Sequence, residues 1–150
     1  MHGTTSTPAE RAQLMALERD QLTALQVEKL RRLFETILPD NRLYTQKLRS
    51  ARTAPATLDE LAELPLTTKE ELVSQGDPAG FAANRTWPVE RYLRYHQTSG
   101  TRGSPLVVLD TAEDWQWWID SWQFVLDAAE VTPDDRAMLA FSFGPFIGFW

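Results

Sequence analysis

The stretch that most constrains this chain is Thr98-Ser99-Gly100-Thr101-Arg102-Gly103-Ser104-Pro105. It holds two glycines, four hydroxyl side chains and a proline, and no large apolar group. Residues 91–97 before it and 106–109 after it both read as strands, so the polar segment is a loop between two strands. Glycines let a backbone turn tightly and approach a ligand, and exposed N–H and O–H groups can bind an anion such as a polyphosphate. The loop is not a Walker A motif, which needs Gly-Lys-Ser/Thr running into a helix; here Gly103 leads to Ser104-Pro105 and then a strand. Nor is it a dinucleotide fingerprint, because only Gly100 and Gly103 are present. Composition by itself leaves a ligand-free hairpin loop equally open.

Other classes fall away on composition. The formal charge of -6 over 150 residues argues against a general nucleic-acid or anionic-membrane binder, which shows a basic face. The absence of cysteine excludes disulfides, zinc–thiolate sites and cysteine nucleophiles within these residues. His2 and His96 are too few for a histidine cluster. The first twenty residues lack the charged start and apolar core of a signal peptide, and no apolar run nears the roughly 20 residues of a membrane helix. A soluble, cytoplasmic protein is expected.

Along the chain, Thr7-Pro8 opens a helix expected to run almost to Leu38, with Val27, Leu30, Phe34 and Ile37 as its apolar stripe. Pro39-Asp40-Asn41 breaks it, and a short helix carrying Tyr44 and Leu48 follows. Thr57–Glu60 and Thr68–Glu71 both have capping-box form and predict two further short helices. Thr111 caps the clearest amphipathic helix, with Trp115, Trp118, Ile119, Trp122, Leu126 and Ala129 on its apolar face. Trp117 lies off that stripe and is the tryptophan expected to meet a partner or another domain. Thr132–Asp135 is a turn, and 136–141 reads as a buried strand. His96 is read as a strand residue rather than a catalyst. The last ten residues, Phe141 to Trp150, are among the most apolar in the chain, so it reads as cut off in mid-fold.

The pattern Thr98-Ser99-Gly100-Thr101-x-Gly103-x-Pro105 resembles the phosphate-binding signature of AMP-forming acyl-adenylate synthetases. Leu25–Leu33 with Pro39 and Tyr44, then Leu64–Leu72, then Val131–Arg136, are similar to phenylacetate–CoA ligases in the same order. The sequence departs from the family at Arg102, where Thr is usual, and at Ser104, where Lys is usual. Losing that Lys removes one cation, which Arg102 could replace as a bidentate phosphate donor.

The resemblance implies an α/β fold, with a helical N-terminal region (1–90) and the beginning of a mixed-sheet ATP-binding domain (91–150), apparently truncated. It implies ATP and Mg²⁺ as cofactors, a carboxylic acid such as an aryl acetate as substrate and coenzyme A as co-substrate, and it allows a homodimer. Thr98, Ser99, Gly100, Thr101, Arg102, Gly103 and Ser104 would hold the nucleotide phosphates. Phe143, Gly144, Phe146 and Gly148 would wall the acyl pocket, a plain core strand being the alternative there. Catalytic residues are expected beyond residue 150, with little or no ligase activity from these residues alone. Two other readings stay open: an adenylate-former loading a different acceptor, and a non-catalytic remnant acting as a binding module.

Overall fold

A computed structural model describes residues 6–38, 40–49, 54–74, 80–100, 103–140, 144 and 147–149. The chain combines helices with a small antiparallel sheet, in the order α1 (Pro8–Met15), α2 (Arg19–Ile37), α3 (Arg42–Lys47), α4 (Lys69–Ser74), β1 (Tyr92–Gln97), β2 (Val107–Thr111) and α5 (Ala112–Ala128).

The first helix is two helices, a correction to the single run expected from Thr7 to Leu38. Thr7 and Glu10 form the capping box of α1, which ends at Ala16. Glu18 is extended (ψ 157°), and its N–H donates to Gln21 Oε1 at 3.0 Å as α2 begins. Local propensity permits a continuous helix, but tertiary contacts compete with it. The break accompanies the docking of α1 on α5, where buried Arg11 grips Asp127 through Nε (2.6 Å) and Nη2 (2.9 Å). The Ser6 N–H reaches Asp120 at 3.3 Å. Those carboxylates lie on the side of α5 opposite its apolar stripe.

Helix α2 follows its pattern. Phe34 is buried, Val27, Leu30 and Ile37 are half-buried, and the opposite side carries Glu28 paired with Arg31 and Arg32. Arg31 and then Arg32 pull the Glu28 carboxyl down to about 2.

Asn41 joins three segments and is fully buried. Its Oδ1 caps α3 by accepting from the Tyr44 N–H at 2.9 Å. Its Nδ2 donates to the Asn84 carbonyl at 2.7 Å and to Thr86 Oγ1 at 2.9 Å. The N–H groups of Thr86 and Trp87 in turn donate to the Tyr92 hydroxyl at 3.0 and 2.9 Å, so the helical region is fastened to the first residue of β1. Leu43 and Leu48 of the α3 segment are buried beside this junction's helix.

The Thr68–Glu71 capping box forms as expected. Glu71 also takes the Lys47 ammonium at 2.5 and 2.6 Å, tying α3 to α4. The Lys47 ion pair, ahead of the Thr68 N–H, holds the Glu71 carboxyl below the usual range. The Thr57–Glu60 segment yields a 3₁₀ turn at Asp59–Glu63 rather than an α-helix. There the returning Glu60 carboxylate bonds the Ala56 N–H (2.8 Å) instead of the Thr57 N–H.

β1 and β2 pair antiparallel, from Gln97 opposite Val107 to Tyr92 opposite Thr111, with an irregularity between Tyr92 and Arg94. Residues 81–82 lie along β2, where the Ala82 N–H donates to the Val107 carbonyl at 2.9 Å. Thr111 ends β2 and caps α5 through a box with Asp114. At its far end α5 stops in a left-handed residue, Glu130 (φ 55°), and the Val131 N–H closes back on the Leu126 carbonyl at 3.0 Å. The turn expected at Thr132–Asp135 is present, with Asp135 N–H to Thr132 carbonyl at 3.1 Å.

Two apolar expectations fail. Trp122, Leu126 and Ala129 are exposed, because among the described residues only the first half of the α5 stripe (Trp115, Trp118, Ile119) finds cover. Residues 136–140 form no strand and are exposed, with Met138 at 86% and Leu139 at 64%. An apolar run becomes a strand only when a neighbouring ladder accepts it, and among the described residues nothing pairs with this one. Trp117 is 64% exposed, as expected for the residue off the stripe. No helix among the described residues is long and apolar enough to cross a membrane.

Candidate functional site

The loop between β1 and β2 is closed at its mouth by two hydrogen bonds. The Thr98 N–H donates to the Leu106 carbonyl at 3.0 Å, and the Leu106 N–H donates to Thr98 Oγ1, also at 3.0 Å. Thr98 therefore uses its oxygen to fix the mouth and keeps its hydroxyl proton for other duty. Beyond it, the Gly103 N–H donates to the Gly100 carbonyl at 3.0 Å, making a tight turn.

Both glycines occupy backbone conformations that side chains resist, Gly100 at φ 67° and Gly103 at φ 124°. A Cβ at Gly100 would lie 3.0 Å from both the Gly103 carbonyl oxygen and Pro105 Cγ, whereas one at Gly103 would meet open space. Ser99, Gly103 and Ser104 are exposed, which leaves the loop's polar groups available to solvent or ligand. Thr101 and Arg102 lie outside the described residues, as do Phe143 and Phe146.

Immediately before the loop stands a cluster that sequence reading passed over. His96 is 6% exposed, and its Nδ1 sits 2.5 Å from Asp110 Oδ2. Its ring stacks on Trp115 of α5, with centroids 5.7 Å apart and planes at 17°. The Arg94 guanidinium lies 4.1 Å from the Trp115 ring centroid. The signal was present in the alternation of β1, which sends Arg94 and His96 to one face and Leu93 and Tyr95 to the other. What could not be read was that Asp110 and Trp115 would meet them. The cluster locks both strands to α5 two residues from the loop mouth.

A cavity of about 430 Å³ lies between the sheet, α2 and α5. Trp87, Tyr92, Trp115, Trp118 and Ile147 line it, along with Asp110 and Asp114. Of the expected acyl-pocket residues, Gly144 is half-buried and Gly148 is exposed in the 3₁₀ turn Ile147–Phe149. Neighbouring Ile147 reaches the cavity, but no residue of 98–105 lines it, so the described residues do not bring loop and pocket into one chamber. No group of acidic or histidine side chains among the described residues could hold a metal ion.

A strand, a hydroxyl- and glycine-rich turn, a second strand and a capped helix stand here in a chain whose sequence is similar to coenzyme A ligases. More narrowly, it is a phenylacetate–coenzyme A ligase-like sequence. It is 33% identical over 136 residues to the phenylacetate–coenzyme A ligase of Escherichia coli (strain K12), covering 86% of this chain and 29% of that protein. The corresponding ligase of Pseudomonas putida is 30% identical over 146 residues, covering 93% of this chain and 32% of the relative. That of Thermus thermophilus is 32% identical over 139 residues, covering 91% and 30%. The chain thus spans about 30% of the length of the curated relatives it matches. No family model matches it.

Proposed function

We propose that this chain is the N-terminal part of an ATP-dependent, AMP-forming acid–thiol ligase and that residues 98–104 are its phosphate loop. The observation that carries this reading is the loop's geometry in a ligase-like sequence: a mouth fixed by Thr98 and Leu106, two glycines at positive φ, and exposed hydroxyls. In the reaction, a carboxylate oxygen attacks the α-phosphorus of ATP and the bond to pyrophosphate breaks, giving an acyl-adenylate. A thiol, that of coenzyme A in this reading, then attacks the acyl carbon and AMP leaves with the bonding electron pair.

This chain's contribution is positioning. The hydroxyls of Ser99 and Ser104, the Thr98 O–H proton and the loop N–H groups donate to the β- and γ-phosphate oxygens, and these donors follow charge that builds on departing pyrophosphate. The bare Cα of Gly100 leaves room for the turn. Thr101 and Arg102 complete the set, Arg102 supplying the cation that Ser104 does not. Mg²⁺ would accompany the nucleotide; the described residues offer it no ligand cluster. An aryl acetate is the proposed acid, with Phe143, Gly144, Phe146 and Gly148 as pocket wall. The cytoplasm is the proposed compartment.

Equilibrium binding of ATP and of inorganic tripolyphosphate to the 150-residue chain tests the loop. Both bind the native chain, and Gly100→Val weakens both by about tenfold or more, equivalent to about 1.4 kcal/mol. Binding indifferent to Gly100→Val and Gly103→Val would refute it and favour a non-catalytic binding module, the reading that the exposed apolar surface also suits. Aryl-acid-dependent pyrophosphate exchange by the chain alone is expected to be negligible.

A further inference from the structure

Among the described residues, strand β1 has a ladder with β2 and none along its other edge. Its outer face is apolar and bare, with Leu93 71% and Tyr95 59% exposed. A two-stranded sheet is marginal in water without a further strand or layer. Residues 136–140 show the same deficit from the other side. Met138 and Leu139 are adjacent, so in an extended segment they point to opposite faces, and both are exposed. Apolar side chains on both faces are the mark of a strand buried between two layers. A small ligand or a flat surface covers one face; only a folded polypeptide covers two.

The surface area has the same implication. The chain exposes 11589 Å² at 17.1 kDa, whereas a compact monomer of that mass exposes about 7,800 Å². The difference, roughly 3,800 Å² on this chain alone, exceeds the ~800 Å² that one partner buries in a standard interface. Relatives that match nearly all of this chain extend over more than twice as much sequence again.

We propose that the β1 outer edge and face, together with residues 136–140, form a docking surface for a ligase-type polypeptide corresponding to the part of the relatives outside the match, and that this polypeptide docks even when supplied as a separate chain. This rests on the ligase reading for the choice of partner, but docking needs no nucleotide and no chemistry.

The test co-expresses the tagged 150-residue chain with the part of the Escherichia coli relative that lies outside the match, so that each folds beside the other. Co-purification in equal amounts is expected, with amide hydrogen exchange in β1 and 136–140 slowed about tenfold or more against the free chain. Leu139→Asp and Leu93→Asp should each cut the recovered complex by a similar factor, and Lys29→Ala, on the exposed side of α2, should leave it unchanged. A second polypeptide that stays insoluble or separate beside the native chain overturns the proposal, and so does a complex indifferent to both Asp variants. Protection of the same residues by a homodimer of this chain also overturns it. A complex that forms but lacks pyrophosphate exchange supports docking and counts against the ligase reading alone.

Discussion

Replacing Asn41 should unfasten the helical region from the sheet, and three substitutions separate its contributions. Asn41→Ala removes the cap of α3, about 1 kcal/mol, and leaves the half-buried Asn84 carbonyl without its 2.7 Å donor, about 1–3 kcal/mol. The sum, about 2–4 kcal/mol, is a large share of an ordinary domain's stability. With a urea slope of about 2 kcal/mol per molar, the midpoint should fall by about 1–2 M. Asn41→Ser keeps a capping oxygen and loses only the amide donors, so it should cost less than Ala. Asn41→Asp keeps the cap but turns a carboxylate oxygen toward the Asn84 carbonyl, which raises that carboxyl's pKa in the folded state. Because the folded state then binds the proton more tightly than the unfolded state, the deficit of Asn41→Asp relative to the native chain should shrink as pH falls through the raised value. Urea unfolding followed by circular dichroism from pH 7 to pH 4 reads all three. Asn41→Ala within about 0.5 kcal/mol of the native chain, the range of an ordinary surface change, would refute the reasoning. An Asp deficit that does not shrink on acidification would refute its electrostatic part.

Two further expectations concern buried pairs. Arg11→Met should destabilise less than Asp127→Asn, since Met leaves a carboxylate that still reaches water while Asn strands a guanidinium whose side chain is only 5% exposed; the reverse order of urea midpoints would be wrong for this account. Arg11 holds the Asp127 carboxyl below its ordinary range, so the pair's contribution is complete above about pH 4, the unfolded value, and fades as pH falls through the lower folded value. For His96 and Asp110, His96→Phe keeps the stack on Trp115 but strands the carboxylate, at about 2 kcal/mol. The double variant His96→Phe/Asp110→Leu should cost less than the two single changes added together, and additive thermal melts would show that the pair is not coupled.

Where a residue's role depended on its immediate neighbours, the sequence was informative. The caps at Thr7 and Thr111 and the box of Thr68 with Glu71 were legible because their partners lie within one helical turn, although at Thr57–Glu60 the same spacing gave a 3₁₀ turn instead. The stripe of α2 and the strands around the glycine loop were legible for the same reason. Partners far apart in sequence were not. Nothing local says that Arg11 will find Asp127, that Asn41 will reach Asn84, or that His96 will meet Asp110 under a tryptophan. The same blindness split the first helix, because contacts with α5 offset the local preference for continuing it. At 136–140 the expectation of a buried strand fails: burial is a property of neighbours, and among the described residues none covers this segment.

The bracing of the glycine loop bears on how such a sequence tolerates change. Its mouth is held at the loop's first residue by the Thr98–Leu106 bonds, and beyond it by the His96–Asp110 pair and the Tyr92 hydroxyl at the far end of β1. None of these anchors uses a side chain from 99–105. Among the described residues, folding therefore places few demands on what the loop carries beyond its two glycines, and selection on ligand binding can act there with little penalty in stability. Ser104, one of the two departures from the family pattern, falls within that permissive span.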